Sequence, residues 1–394
     1  MQRKLNLGSG DTPLDGYDNI DIKQGRVAYP LDTIETGSVD EVRASHLLEH
    51  FTRAEQLPIL KEWSRVLKPG GLLQIAVPDF DRIVGAYQRP NAGANPLEMY
   101  LMGGQTDAVD QHKVIYNPGK LRALLKAAGL LRVEPWKSEV KDAAALPISL
   151  NLQARKPTAE QGRDVRIAAV LSAPRFGINE VWATWYETFG KLHIPMALGS
   201  GAFWGQVLER VMTEAMPRVD WIITCDYDTP ANEAVVAELL YLVTSYPEID
   251  ALAPVQQHRG NDSPLFCIYE DFETRKLRTQ ITREELSRDI LPVSTAHFGL
   301  TMIRTSALAK MAHPWFLGQP NSNGTWGDGR IDDDIYFWRK FAQAGNKLAI
   351  APHVVVGHVE TAVMFPGENF GAPVWSTMKQ YKDGGWCPPL GAWK

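Results

Sequence analysis

Asp226 and Asp228 flank Tyr227 directly after an apolar run, Trp221-Ile222-Ile223-Thr224-Cys225. Residues two apart on an extended strand point the same way, so both carboxylates project from one face at a strand end. Two such charges repel unless a cation lies between them. Hard divalent ions take oxygen ligands, often one or two carboxylates plus substrate phosphates. The spacing therefore suggests a divalent metal such as Mg²⁺ holding a diphosphate. Short acidic triplets also occur in solvated turns, so the surrounding elements and later motifs must decide. A second acidic run, Asp332-Asp333-Asp334, opens a helical stretch ending at Ala344-Gly345. Aspartates there can cap the helix or accept a proton. His353 and His358 follow around another apolar run. In the first half, Gly8-Ser9-Gly10 follows Lys4-Leu5-Asn6-Leu7, and Asp21 ends Tyr17-Asp18-Asn19-Ile20. A glycine pair lets backbone approach a ligand closely, and an acid at a second strand end can hold ribose hydroxyls.

The elements that must position these residues repeat a pattern of short apolar strands and amphipathic helices. That predicts an α/β protein with two doubly wound domains, each a parallel sheet with helices on both faces. Such sheets bind ligands at the carboxyl ends of their strands. Residues 156–165, inside ARKPTAEQGRDV, are polar, contain Pro157 and Gly162, and read as a linker between domains 1–155 and 166–394. Gly10 to Asp21 is too short for a full helix, so the first crossover is expected to be a loop. Leu67-Lys68-Pro69-Gly70-Gly71 reads as a tight turn. Asn117, Pro118 and Gly129 mark the cap, first position and stop of a helix with Leu121, Leu124, Leu125 and Ala128 on one face.

Composition narrows the class. The 394 residues are 44% hydrophobic with net charge −5. Charges balance up to Arg155, with 19 basic and 19 acidic residues, so no basic face points to nucleic acid. Three cysteines without C-x-x-C spacing argue against a disulfide framework and a cysteine zinc site. A reducing cytoplasm is the expected setting. Met1 to Lys4 runs straight into a strand, so no leader is expected. No apolar run approaches the ~20 residues of a membrane span, so stable membrane insertion is not expected.

LNLGSG, the NIDI segment, SVDEVRASHLLEHF and LKPGGLLQIAVPD together resemble class I S-adenosylmethionine-dependent methyltransferases, in the small branch associated with glycan biosynthesis. The resemblance spans residues 3–136, including Gly103–Gln105 and Asp110-Gln111-His112. It implies a Rossmann-like fold in which Gly8, Ser9 and Gly10 line S-adenosylmethionine, Asp21 holds its ribose, and His46 lies at the cofactor edge. An acid expected against the adenine, near Tyr29–Asp32, is not in register. His46-Leu47-Leu48-Glu49-His50 also fits H-x-x-E-H, a zinc-peptidase pattern, but no obvious third ligand lies nearby in sequence. Glu49 or His50 is the candidate base for a substrate hydroxyl.

The second half resembles GT-A-type glycosyltransferases of the large, mostly inverting sugar-transfer family, over residues 165–362. The D-x-D triplet, the acidic pair opening a helix and the late histidine fall in that order. The resemblance implies that Asp226, Tyr227 and Asp228 meet a nucleotide-sugar of UDP or GDP type. Asp226, Asp228 and His358 would hold Mn²⁺ or Mg²⁺ on the donor diphosphate, with His353 the rival to His358. Asp334 is the candidate base and Asp333 the alternate. The turn Ala173-Pro174-Arg175 can cup the base, and Gln206 and Arg210 can reach the nucleotide. Trp315 and Trp326 bound a Gly/Pro/Asn-rich loop suited to an acceptor. The expected function is sugar transfer joined to methylation of the sugar or acceptor. That acceptor is a glycan, a lipid-linked glycan or a hydroxylated nucleobase of the phage DNA-modification type. The alternatives are a glycosyltransferase with a degenerate methyltransferase scaffold, or a non-catalytic glycan- or nucleotide-binding module.

Overall fold

The computed structural model describes residues 2–88, 94–107, 109–162, 164–174, 176–258, 263–271, 274, 276–278, 280–368 and 371–392. The chain forms two compact units, Met1–Arg163 and Asp164–Lys394.

In the first unit, β1 (Lys4–Leu7), β2 (Asp18–Ile20), β3 (Val39–Ser45), β4 (Leu67–Pro78), β5 (Leu131–Pro135) and β6 (Ser149–Arg155) form one sheet, ordered β2-β1-β3-β4-β6-β5. Helices α1 (Gln56–Val66), α2 (Phe80–Tyr87), α3 (Ala94–Met102) and α4 (Pro118–Ala127) connect them. α1 places Ile59, Leu60, Trp63 and Val66 at three-and-four spacing on one face, and all four are buried. The Trp63 indole N–H donates to the Ala28 carbonyl at 2.9 Å, so its one polar atom is satisfied. α4 starts as its sequence demands: Asn117 Oδ1 accepts the Lys120 N–H at 3.0 Å and Pro118 takes the first turn. Leu121 and Leu125 are buried from its inner face.

A loop of turns joins β1 to β2, as the short interval required. The expected turn at Leu67–Gly71 lies inside β4 as an irregularity, with Gly70 at φ 78°, the left-handed value a type II turn needs at its third position. Val39 pairs with Leu67 and Glu41 with Leu72, so four residues stand opposite Asp40 alone. The Lys68 ammonium bonds both Asp40 oxygens, at 2.7 and 2.8 Å, and holds the bulge to β3.

In the second unit the order is β7 (Ile167–Ala173), α5 (Asn179–Lys191), β8 (Met196–Ser200), α6 (Trp204–Ala215), β9 (Trp221–Cys225), α7 (Glu233–Ser245) and β10 (Ala251–Gln256). Short elements follow: β11 (Phe266–Cys267), β12 (Tyr269–Asp271), β13 (Lys276–Leu277), α8 (Arg283–Leu286), β14 (Leu291–Pro292) and β15 (Thr295–Ala296). Then come β16 (Leu300–Arg304), α9 (Thr305–Leu308), α10 (Asp333–Gln343) and β17 (Leu348–Val356). The main sheet is ordered β14-β17-β10-β16-β9-β7-β8. One face packs on α6 and α10 through Val207, Leu208, Phe337 and Phe341. The other packs on α5 and α7 through Trp185, Phe189, Leu239 and Leu242.

Neither sheet is purely parallel, which corrects the sequence expectation. β6 is antiparallel to β4 and β5, and β16 is antiparallel to β9 and β10. No α-helix lies between β5 and β6, so β6 returns antiparallel. A parallel return needs a crossover of a dozen or more residues, usually helical. Running antiparallel to their neighbours, β6 and β16 enter the sheet from its carboxyl edge.

Candidate functional site

In the first unit β1 lies between β2 and β3, so strand order reverses there. Open α/β sheets bind ligands at such a reversal. A cleft of about 470 Å³ occupies this edge, and Gly8, Gly10, Asp21, His46 and His50 line it. Gly8 and Gly10 have φ of 65° and 50°, the left-handed region, and a Cβ on Gly8 would stand 2.8 Å from Leu47 Cδ1. Asp21 Oδ2 accepts the Gly10 N–H at 2.7 Å and Oδ1 accepts the Lys23 N–H at 2.9 Å. The acid thus fixes the glycine turn against the end of β2, and its remaining lone pairs can still accept ribose hydroxyls. Ser9, expected to line the cofactor, is not among the lining residues. Its hydroxyl is buried and lacks a hydrogen-bond partner among the described residues. Ala28 and Tyr29 line the cleft, whereas Asp32 does not. A glycine cradle tied to a buried acid fits an adenosine-bearing cofactor.

Behind this cleft lies a cluster that the sequence showed only in part. His46 ends β3 with φ 50°, and its N–H donates to the Ala76 carbonyl at 2.8 Å. Leu48–His50 is one 3-10 turn, so His46 and His50 share no helix face and the peptidase geometry is absent. Glu49 is 0% exposed, and neither carboxyl oxygen has a hydrogen-bond partner among the described residues. Burial pushes that carboxyl up to about 8. Glu49 does not line the cleft, which corrects its role as a base touching substrate. His46 Nδ1 and His112 Nε2 lie 3.4 and 3.9 Å from Glu49 Oε1. The His50 and His112 rings meet edge to face at 4.9 Å. Burial, then the neighbouring His112, holds the His46 imidazole down at about 4; burial also lowers His50 and His112. The Tyr116 hydroxyl, also without a partner among the described residues, is pushed up by burial and by Glu49. His112 and Tyr116 lie more than sixty residues beyond His46 in sequence, too far for local spacing to join them.

In the second unit a cleft of about 760 Å³ is lined by Gln206, Asp226, Asp228, Trp326, Asp333, Asp334 and His358 among others. The Asp226 N–H donates to the Gly299 carbonyl at 3.1 Å, which ties the end of β9 to the residues entering β16. Asp228 is 2% exposed, and His358 Nε2 lies 3.4 Å from its Oδ2. His358 Nδ1 is 2.9 Å from the Gln257 carbonyl, so that nitrogen carries the proton. Asp334 opens α10. Burial raises its carboxyl, while the Ile335 N–H, donated to Oδ1 at 2.8 Å, acts the other way. Asp333 lies against two glycines: a Cβ on Gly205 or Gly318 would come within 2.9 Å of its carboxyl oxygens. Asp332 makes no side-chain cap and pairs with Arg330 at 2.7 Å. No lysine or arginine is among the described lining residues.

Other predicted residues fall elsewhere. Trp315 is 1% exposed, its indole N–H donating to the Met311 carbonyl at 3.2 Å. It is a core residue and not an acceptor platform, whereas Trp326, 63% exposed, lines the cleft. Arg210 donates to the Ser200 carbonyl at 3.1 Å and does not line the cleft. Ala173 and Pro174 stand at the carboxyl edge beside β9, and Tyr227 between its two aspartates, all outside the lining. Arg175 lies outside the described residues. His353 is exposed on β17, away from the cleft.

Residues 8–75, from the glycine turn into β4, match the family described as Methyltransferase domain. No curated protein matches the chain. Solved structures similar to it include A197 from STIV, 15% identical over 50% of this chain and 86% of that one, at a TM-score of 0.34. A SAM-dependent methyltransferase from Archaeoglobus fulgidus is 15% identical over 39% of this chain and 86% of that one, at 0.26. Another from Thermotoga maritima is 17% identical over 40% and 83%, at 0.26. Identities and TM-scores this low bear on neither substrate nor mechanism. The family match stops short of the second unit. It supports a methyltransferase domain of Rossmann-like α/β fold in the first, with S-adenosylmethionine as the implied cofactor.

Proposed function

We propose that the chain is a two-activity transferase. The first unit transfers a methyl group from S-adenosylmethionine, and the second transfers a sugar from a UDP- or GDP-type donor, with Mn²⁺ or Mg²⁺, to an acceptor hydroxyl. One observation carries the reading. Two separate clefts lie at carboxyl sheet edges, one built on a glycine turn tied to Asp21, the other on Asp226, Asp228, Asp334 and His358.

For methyl transfer, bound cofactor supplies an electrophilic methyl on sulfur. Gly8 and Gly10 let the backbone approach it, Asp21 anchors that turn and accepts ribose hydroxyls, and His46 and His50 form the wall where the acceptor hydroxyl loses its proton. For sugar transfer, a lining with five aspartates and no lysine or arginine among its described residues argues for a cation. A diphosphate would be repelled by these carboxylates alone. Asp226, Asp228 and His358 are suited to hold such an ion, whose charge offsets that of the leaving diphosphate. The acceptor oxygen bonds the anomeric carbon, the bond to diphosphate oxygen breaks, and Asp334 takes the hydroxyl proton. Trp326 offers a ring face to acceptor or donor sugar. The acceptor is a glycan, a lipid-linked glycan or a nucleobase, and the net charge of −5 favours the first two.

The test is donor turnover with Mn²⁺ in the full chain and in Asp226→Ala and Asp228→Ala. Loss in both variants is expected. Equal turnover, or none with any UDP- or GDP-sugar, would leave a nucleotide-binding module. No cofactor binding up to millimolar S-adenosylmethionine would reduce the first unit to a scaffold.

A further inference from the structure

The Glu49 cluster turns imidazole lone pairs toward one buried carboxyl. His112 Nδ1 is 3.1 Å from the Tyr100 carbonyl, and His50 Nδ1 is 3.2 Å from the Gln111 carbonyl. A carbonyl oxygen only accepts, so both rings carry their proton on Nδ1 and present Nε2 as a lone pair. His112 Nε2 then faces Glu49 Oε1 at 3.9 Å. His46 repeats the arrangement with its nitrogens exchanged. The Ser149 hydroxyl donates to Asn151 Oδ1 at 2.7 Å, so it accepts from His46 Nε2–H at 2.9 Å. That leaves the His46 Nδ1 lone pair facing the same Glu49 oxygen at 3.4 Å. In the middle sits a wholly buried carboxyl without a hydrogen-bond donor among the described residues. One ligand atom each from Glu49, His50 and His112 lies within 4.8 Å of the other two.

From this geometry we infer that Glu49, His50 and His112 form a binding site for a divalent transition-metal ion of the zinc class. Two imidazoles and one carboxylate are a donor set that zinc accepts, with a fourth position left open. Metal-ligating histidines typically donate their other ring N–H to a backbone carbonyl, which fixes tautomer and ring orientation. Both rings here already do so. Tetrahedral zinc at about 2.1 Å from each ligand needs ligands roughly 3.4 Å apart. The Glu49–His112 pair, at 3.9 Å, reaches that by closing about half an ångström, and no pair of the three need close by more than about 1.4 Å. His50 also lines the cleft, so the open position is reached from the side where the methyl acceptor enters. An oxygen ligand at that position would face the cleft, and His50 would be a metal ligand rather than a proton acceptor. This deepens the methyl-transfer reading of the same cleft. Metal content is measured without turnover, so the two claims fail separately.

The experiment uses the full chain with Asp226→Ala and Asp228→Ala, which removes the acidic ligands of the second unit. The probes are Zn²⁺ for stoichiometry and stability, and Co²⁺ for its visible d–d bands. One equivalent of Zn²⁺ is expected to survive dialysis and raise Tm, and Co²⁺ to give bands of a four- or five-coordinate site. His112→Ala should weaken Zn²⁺ binding by more than about 100-fold, beyond the loss seen when only an outer partner is removed. Glu49→Gln keeps the volume and supplies donors to the imidazoles, so it should fold while losing the Tm response to Zn²⁺. No retained metal in the folded parent overturns the site. So does Zn²⁺ binding, or a Zn²⁺-dependent Tm rise, that is the same in parent, His112→Ala and Glu49→Gln.

Discussion

In the first unit β6 enters beside β4 with Ser149 opposite Pro78, and Ser149 meets the His46 imidazole. In the second, β16 enters beside β9 with Leu300 opposite Cys225, and the preceding Gly299 accepts the Asp226 N–H. Each unit thus uses an antiparallel strand to carry residues back to the edge where parallel strands end. The two clefts differ in charge. The first is lined by Asp21, Glu55, Asp107 and Asp110 with Lys23 and Lys113 among them, hides the Glu49 carboxyl behind its wall among imidazoles, and ties Asp21 to backbone N–H groups. The second gathers Asp226, Asp228, Asp333 and Asp334 with no lysine or arginine among the described lining residues, while Asp332 there pairs with Arg330. The first therefore suits a ligand bound by backbone and a ribose-holding acid. The second suits an anionic donor only in company with a cation.

The largest expected effect separates the clefts by chemistry. Asp228→Ala should lower sugar transfer by on the order of 10²–10³-fold or more, as expected when a principal charge-stabilising contact is lost. Methyl transfer should be unchanged. Equal losses in both rates, followed in one assay of both products, would break the comparison.

Trp315 and Trp326 sharpen it next. Trp315→Ala removes a buried ring and should cost about 3–5 kcal/mol of stability, read by denaturant unfolding. Trp326→Ala should raise KM for donor or acceptor and leave the unfolding midpoint within about 0.5 kcal/mol. Reversed results would return Trp315 to the acceptor platform.

Asp334 gives the pH test. Burial raises its carboxyl, so the base is ionised only above the ordinary carboxylate range. Sugar-transfer kcat/KM should fall as pH drops through that raised value, and Asp334→Asn should abolish the limb with most of the rate. The folded chain also binds this proton more tightly than the unfolded chain. The stabilisation is full below the unfolded value and is lost as pH rises through the folded one. Asp334→Asn should therefore raise Tm at neutral pH; an unchanged acid limb or a lowered Tm would count against a buried base.

A smaller effect is predicted at Asp21. Asp21→Asn weakens the bond to the Gly10 N–H and should raise the Kd for S-adenosylmethionine about tenfold, the scale of a charge-assisted hydrogen bond. An unchanged Kd by calorimetry would remove Asp21 from the cofactor site.

Much of the candidate site was legible because its residues follow strand ends directly. Gly8, Gly10 and Asp21 close β1 and β2, Asp226 and Asp228 close β9, and the cap of α4 is written in Asn117 and Pro118. The rest depends on tertiary pairing. His112 joins Glu49 through a loop far along the chain. The reversed β16 sits between β9 and β10, strands that end far before it in the chain, so its direction is set by long-range pairing. Trp315 reads like Trp326 in composition, and only packing under α6 and α10 separates core from cleft. Arg210 is close enough to Ser200 to be held by its carbonyl, a contact that helix periodicity does not reveal.

The central claim is that each unit carries its own ligand. Crosswise calorimetry tests it: S-adenosylmethionine titrated into the Asp226→Ala/Asp228→Ala chain, and UDP or GDP with Mn²⁺ titrated into Asp21→Asn. The account predicts wild-type affinity in both titrations, with each ligand weakened only by the variant of its own cleft. A ligand lost through the opposite unit's variant, or no heat from either ligand up to millimolar in the wild-type chain, would contradict it.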